Sequence, residues 1–396
     1  MLADRLQELE ESQTIAMAKK SRELKAQGID VINLSLGEPD FDTPENIREA
    51  AKQAIDQGFT HYTPIAGYDE LRSAICRKFK NENNLNYAIE NIVVSTGAKQ
   101  SIANVVLSLV NPGDEVIVPT PYWVSYSQII KLAKGIPVYL NTSIENDFKF
   151  SSDDLRKVIS PKTKLLIYSS PCNPTGSIFT LDELKSIAEV VKQYQQLYVI
   201  SDEIYEHIRF TDHHYSIASF EEIKDRVIVV NGVSKGYAMT GWRIGYIAAS
   251  KEIASACDKI QGQFTSGTCS IAQKAAIEAV STQWDKYRYM KDTFLKRRNI
   301  TLEKMNAIKG LKVNDPKGAF YVFPNVESFY GKQYLQYKIE NSTDLCSYLL
   351  DEAKISLVPG IAFGNDQCIR LSYAIAEDQL IEALNRMSAA LSKLNV

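Results

Sequence analysis

Val227-Ile-Val-Val-Asn-Gly-Val-Ser-Lys235-Gly-Tyr-Ala-Met-Thr-Gly-Trp-Arg243 carries a near-continuous apolar run straight into a polar turn that bears one lysine. A short apolar run bounded by turn residues reads as a strand buried on both faces. A lysine held at the end of such a strand is costly to keep charged, so burial favours the neutral amine. A neutral amine in a cleft attacks carbonyls and can form a Schiff base. Eight residues beyond Lys235 stands Arg243, whose planar fork suits a phosphate. Read alone, the turn is an ordinary strand end with surface charges. The rest of the chain decides between these readings.

Similar runs recur on both sides of this one. Asn91-Ile-Val-Val-Ser, Glu115-Val-Ile-Val-Pro, Lys164-Leu-Leu-Ile-Tyr, Leu197-Tyr-Val-Ile-Ser and Arg226-Val-Ile-Val-Val alternate with segments of helical period. Leu71, Ile75 and Phe79 keep an i, i+4 rhythm, and Thr180 with Glu183 forms a capping-box pattern. The alternation predicts an α/β fold with a mostly parallel sheet between helices. Beyond about residue 282 the texture changes to a long charged helix over roughly 285–308, then to short strands around Ala319-Phe-Tyr-Val-Phe and Cys368-Ile-Arg-Leu-Ser-Tyr. That change predicts a large domain over 47–285 and a smaller α+β domain built from 1–46 and 286–396.

In an open parallel sheet, ligands bind beyond the carboxyl ends of the strands. Three runs end in polar groups: Asn173-Pro-Thr-Gly after the first, Ser201-Asp202-Glu-Ile-Tyr205 after the second, and the Lys235 turn after the third. The steps from 173 to 202 and from 202 to 235 are 29 and 33 residues, the length of successive βα units. All three endings should therefore face one pocket. A carboxylate behind a core strand needs a partner, and a protonated pyridine nitrogen would serve Asp202. The competing account is a helix N-cap. Tyr205 and Asn173 could donate to the phenolic oxygen of such a ring, and Trp123 could stack on its face. Thr96-Gly97-Ala98-Lys99 follows a strand and opens a helix, a ready anion site. Arg370 alternates with apolar neighbours and so points inward, where its guanidinium fits an α-carboxylate or a structural salt bridge. Together these groups suit pyridoxal 5'-phosphate and an amino acid.

Composition excludes other classes. Among 396 residues, 45% are hydrophobic and the formal net charge is −3, without the clustered basic residues of a nucleic-acid footprint. Six scattered cysteines lack any C-x-x-C pair, so neither a disulfide framework nor a metal site is expected. The adjacent His213 and His214 read as plain surface. No stretch reaches membrane-span length, which predicts a cytoplasmic protein. No G-x-G-x-x-G follows an early strand, against a dinucleotide enzyme.

The chain resembles the class I and II aminotransferases, most nearly the bacterial aspartate and aspartate/prephenate branch. The resemblance rests on Leu36-Gly-Glu-Pro-Asp-Phe-Asp-Thr-Pro44, Tyr62-Thr-Pro-Ile-Ala-Gly67, Pro121-Tyr-Trp-Val-Ser-Tyr126, Asn173-Pro-Thr-Gly176, Ser201-Asp-Glu-Ile-Tyr205, Ser234-Lys235 and Gly241-Trp-Arg-Ile-Gly245. It implies a seven-stranded, mostly parallel sheet and pyridoxal phosphate bound covalently by Lys235. It further implies Asp202 on the ring nitrogen, Tyr205 and Asn173 on the ring oxygen, and Trp123 on the ring face. Arg243, the amides of Ala98 and Lys99, and Tyr62 from a partner subunit would hold the phosphate. Gly37 and Arg370 would receive the substrate, with Trp123 and Asn173 bordering it and Lys99 meeting a second carboxylate. The implied protein is a homodimer with shared active sites, moving nitrogen from aspartate to 2-oxoglutarate by a ping-pong course. Aromatic, prephenate or broad-range transfer, or β-elimination, are the alternatives on the same fold. Bifunctional relatives often carry a basic residue near position 10, where this chain has Glu10, which argues against prephenate.

Overall fold

The computed structural model describes residues 3, 6–9 and 13–395; Glu10 lies outside them. Its strands are β1 (Ile32–Asn33), β2 (Ile92–Ser95), β3 (Glu115–Thr120), β4 (Ile136–Asn141), β5 (Thr163–Ser169), β6 (Tyr198–Asp202) and β7 (Val227–Gly232). There follow β8 (Gly245–Ala248), β9 (Tyr321–Val322), β10 (Gln333–Tyr334), β11 (Tyr337–Lys338), β12 (Ile355–Ser356), β13 (Val358–Pro359) and β14 (Ile369–Ser372).

Seven of these strands form one sheet in the order β2-β8-β7-β6-β5-β3-β4. All its pairings are parallel except the two that β8 makes with β7 and β2. Neighbouring residues along the central strands pack into opposite cores, which is why the runs are apolar throughout rather than alternating. Val227 and Val229 join one core with Leu166 and Val199, while Ile228 and Val230 join the other with Leu165 and Ile200. Each such side chain, once fully buried, contributes roughly 1.5–3 kcal/mol. Strands β4 and β8 were not evident as apolar runs. β4 is a half-exposed edge containing Pro137, and β8 has only four residues.

The capping box at Thr180 forms as expected, its hydroxyl accepting from the Glu183 amide while the Glu183 carboxylate accepts from the Thr180 amide. The long charged helix spans Arg288–Asn306. After it, β9 pairs antiparallel with β14, and β14 with β13. The amino-terminal β1 runs parallel to β12. A third core gathers Leu34, Phe294, Tyr321, Leu349, Ile369 and Leu384 from these elements.

One glycine ties three strands together. Gly245 opens β8 opposite both Ser95 at the end of β2 and Gly232 at the end of β7. A Cβ built there would lie 2.1 Å from the Ala98 amide nitrogen, so only glycine permits this approach.

Behind the ends of β6 and β7 lies a buried ionic cluster. Glu206 accepts from Lys78, from Asn83 at 2.6 Å and from Asn231 at 2.7 Å. Glu82 and His207 complete it, their bond 2.9 Å long. Carboxylates and imidazole stand within metal-ligand reach of one another here, and the Lys78 ammonium already bridges Glu82 and Glu206. The expectation for the His213–His214 pair holds for exposed His213 only. The His214 side chain is 4% exposed and meets Glu203 at 3.0 Å, because Glu203 is sealed under the same loop.

Candidate active site

The endings of β5, β6 and β7 meet at one cavity of about 260 Å³. Gly37, Ala98, Lys99, Trp123, Asn173, Asp202, Tyr205, Lys235, Arg243 and Arg370 all line it. Of the site residues expected from the sequence, only Tyr62 stands apart, 98% exposed on the surface of the chain.

Lys235 leaves β7 through Val233 and Ser234, and its Nζ donates to the Gly37 carbonyl at 2.6 Å. Burial lowers its pKa to about 8; Glu38 opposes that fall, and Arg243 and Arg370 deepen it. The amine is therefore available in neutral form near physiological pH. Asp202 closes β6. Its Oδ2 accepts from the Tyr126 hydroxyl at 2.7 Å, and its Oδ1 from the Ile204 amide at 3.3 Å. Burial pushes its carboxyl up to about 6, against the restraining hydrogen bond from Tyr126. The side chain faces the cavity rather than capping a helix, since β6 runs on into a turn.

The opposite end of the cavity is built for an anion. Gly97 precedes the helix Ala98–Leu109 at φ 85°, and no acidic residue occupies its first turn. The amides of Ala98 and Lys99 precede Gln100, whose amide is the first of this helix to donate to the Gly97 carbonyl, and so are left for an anion. Arg243 sits in left-handed backbone at φ 58°, with Nη1 donating to the Thr240 carbonyl at 2.8 Å. Its guanidinium lies against Gly97, where a Cβ would come within 2.2 Å of Nη2. Lys99 extends beside the indole of Trp123, its Nζ 5.1 Å from a ring centroid. Burial, then Arg243, lowers the Lys99 pKa.

Arg370, on β14, is 2% exposed. Nη1 donates to Asn173 Oδ1 at 3.0 Å and Nη2 to the Ser35 carbonyl at 2.6 Å, while Nε has no partner among the described residues. Among the described residues no carboxylate pairs with this cation, which removes the structural salt bridge as an explanation for it. A buried guanidinium held only by neutral oxygens leaves its charge for a ligand.

Two further side chains were not anticipated as site residues. Tyr126 was visible inside Pro121-Tyr-Trp-Val-Ser-Tyr126, three residues past Trp123 and so on the same side of a helical turn. Tyr321 was read only as part of a strand, yet its hydroxyl meets that of Tyr205 at 2.9 Å.

The donor set fits pyridoxal phosphate on three counts. A paired amide and guanidinium cradle needs glycine at 97 and 245. A buried carboxylate stands opposite a buried amine in one cavity. Arg370, whose Nε has no partner among the described residues, lines the same cavity.

Comparison with known proteins agrees with this chemistry. Residues 29–387 match the family model described as aminotransferase class I and II. A protein of Rickettsia bellii named probable aspartate/prephenate aminotransferase is 47% identical over the full length of both chains. The crystal structure of the aspartate aminotransferase of Rhizobium meliloti superposes with a TM-score of 0.97 at 38% identity, covering 100% of each chain. That of Thermus thermophilus aspartate aminotransferase with maleate gives 0.93 at 37% identity, over 98% of this chain and 99% of the other. Likeness that spans the whole molecule, in sequence and in backbone, leaves one assignment: this chain belongs to the class I and II aminotransferases, which depend on pyridoxal phosphate.

Proposed function

We propose that the protein transfers the amino group of L-aspartate to 2-oxoglutarate. The observation that carries this reading is Arg370, a buried cation without an anionic partner among the described residues, in the cavity that Lys235 and Lys99 also line. A dicarboxylic amino acid offers one carboxylate to the Arg370 fork and a second to Lys99. The segment Gln261–Thr268 contains no arginine that could do the latter work in a partner's site. The Rhizobium and Thermus neighbours, both named aspartate aminotransferases, support the same substrate, and the latter was solved with the dicarboxylate maleate.

In this reading Arg370 and the Gly37 main chain orient the substrate, with Trp123 and Asn173 as its borders. Arg243 and the Ala98 and Lys99 amides anchor the phosphate, joined by Tyr62 of a second copy. The 98% exposure of Tyr62 supports a homodimer with shared sites. Trp123 covers the ring, Tyr205 and Asn173 donate to its oxygen, and Asp202 keeps its nitrogen protonated. When bound, pyridoxal phosphate supplies an aldehyde for the amino group and a ring that accepts the electron pair left at Cα. Lys235 Nζ, neutral above about pH 8, takes the proton from the substrate Cα. Residues 47–285 would form the cofactor-binding domain, and 1–46 with 286–396 the smaller one. No helix among the described residues is long and apolar enough to cross a membrane, and we place the enzyme in the cytoplasm.

A second reading, prephenate as amino acceptor, is favoured by the printed name of the Rickettsia relative. Half-reaction spectra test both. Aspartate should convert the bound cofactor to its amine form, with 2-oxoglutarate reversing it. Failure of aspartate, with success of phenylalanine, would overturn the aspartate reading. Reversal by prephenate would add the second activity.

A further inference from the structure

The hydroxyls of Tyr205 and Tyr321 lie 2.9 Å apart, and either could be the donor. The choice matters, because a phenol has one proton to give. If Tyr205 donates to Tyr321, it presents only lone pairs to the cavity and repels an anionic ring oxygen. If Tyr321 donates, the Tyr205 hydrogen is free to point at the ligand. Both side chains line the cavity and are buried, where a hydrogen bond between them is stronger than in water.

Three observations favour Tyr321 as donor. The Arg370 guanidinium carbon lies 4.6 Å from the Tyr321 ring centroid. A cation there draws electron density from the phenol and strengthens its O–H as a donor. Burial raises both phenols above their ordinary pKa, and Arg370 is the leading influence against that rise at Tyr321. Among the described residues Tyr205 is the sole hydrogen-bond partner of the Tyr321 hydroxyl, and Gly37 packs so close to that hydroxyl that a Cβ there would come within 2.6 Å.

We propose that Tyr321 is a positioning residue for the transamination site: it donates to Tyr205 and thereby aims the Tyr205 hydroxyl hydrogen into the cavity. The inference rests on the reading of Tyr205 as donor to the ring oxygen. It also links two parts of the molecule. Tyr321 on β9 pairs with Ser372 on β14, two residues past Arg370. The strand that carries the carboxylate-binding cation is thus paired to the one that carries the phenol.

The test uses the cofactor-loaded protein and the variants Tyr205→Phe, Tyr321→Phe and the double variant. Phenylalanine keeps both rings, so packing and the Arg370 contact survive, and matching thermal midpoints check this. The readout is the pH midpoint at which the visible absorbance of the bound cofactor changes. A hydrogen bond to the ring oxygen favours its anionic form, so losing it should raise that midpoint. Tyr205→Phe should raise it by about half to one pH unit. Tyr321→Phe should raise it by part of that amount, and the double variant should match Tyr205→Phe alone, because Tyr321 acts only through Tyr205. An unmoved midpoint in Tyr321→Phe, or full additivity in the double variant, overturns the proposal while leaving Tyr205 in its role. An unmoved midpoint in Tyr205→Phe overturns the reading beneath it.

Discussion

Asp202 should weaken the protein it serves. Burial lifts its carboxyl from 3.8 to about 6, so between those values the folded chain holds a proton that the unfolded chain has released. The sign follows from linkage. The group's contribution is neutral below the unfolded value, becomes unfavourable as pH rises through the window, and is fully unfavourable above pH 6. The shift of about 2 units corresponds to a penalty of roughly 3 kcal/mol at neutral pH. Asp202→Asn removes the charge and keeps the shape. The Tyr126 hydroxyl can still donate to the amide oxygen, while the weaker contact from the Ile204 amide at 3.3 Å is lost. The net gain for the cofactor-free chain should be about 1–3 kcal/mol at pH 7, disappearing near pH 4. Urea denaturation of both cofactor-free proteins at the two pH values measures it. The same change should slow single-turnover conversion of aspartate by about 10²–10⁴, as expected when a buried cation loses its partner at about 3–5 kcal/mol. A variant less stable than the parent at pH 7, or equally stabilised at both pH values, would refute the electrostatic account.

Arg370→Lys should cut kcat/KM for aspartate and 2-oxoglutarate alike by about 10–100-fold, mainly through KM, because one arm of the carboxylate fork is lost; steady-state kinetics unchanged within twofold would make Arg370 a packing residue. The rate at which cofactor-free protein captures pyridoxal phosphate should climb with pH and level off above about 8, following the neutral fraction of Lys235. Lys235→Ala should lose borohydride-fixed cofactor altogether, as read by mass spectrometry. Glu206→Ala removes the nearer carboxylate from the buried Lys78 ammonium, leaving Glu82 at 3.6 Å, and should cost about 3–5 kcal/mol in denaturant unfolding.

The parts of the fold that could be read from residues alone were those in which local composition carries the whole signal. The continuous apolar runs at 165–168 and 227–230 sit on central strands with both faces covered, so periodicity and burial say the same thing. β4 lies half-exposed at the sheet edge and contains a proline, so it lacks a continuous apolar run, while β8 reverses direction between neighbours, which its own residues do not record. The site was legible for a related reason. Asn173, Asp202 and Lys235 each stand at or a few residues past the end of a central strand, so sheet topology makes them converge. Tyr126 and Tyr321 were not legible as site residues because an aromatic in an apolar setting looks the same whether its hydroxyl meets a carboxylate, another phenol or nothing. His214 was misread because a polar loop tip gives no hint of a buried glutamate beneath it.

The Gly245 junction has a consequence for how such an enzyme can diversify. The distance from the amine to the anion cradle is set by main-chain register across three strands, Ser95 and Gly232 both facing Gly245, and not by any reactive side chain. Selection can therefore exchange the groups that greet an incoming amino acid while the ruler between nucleophile and anchor stays unaltered. New preferences can arise on this scaffold without the coenzyme's seat having to be rebuilt.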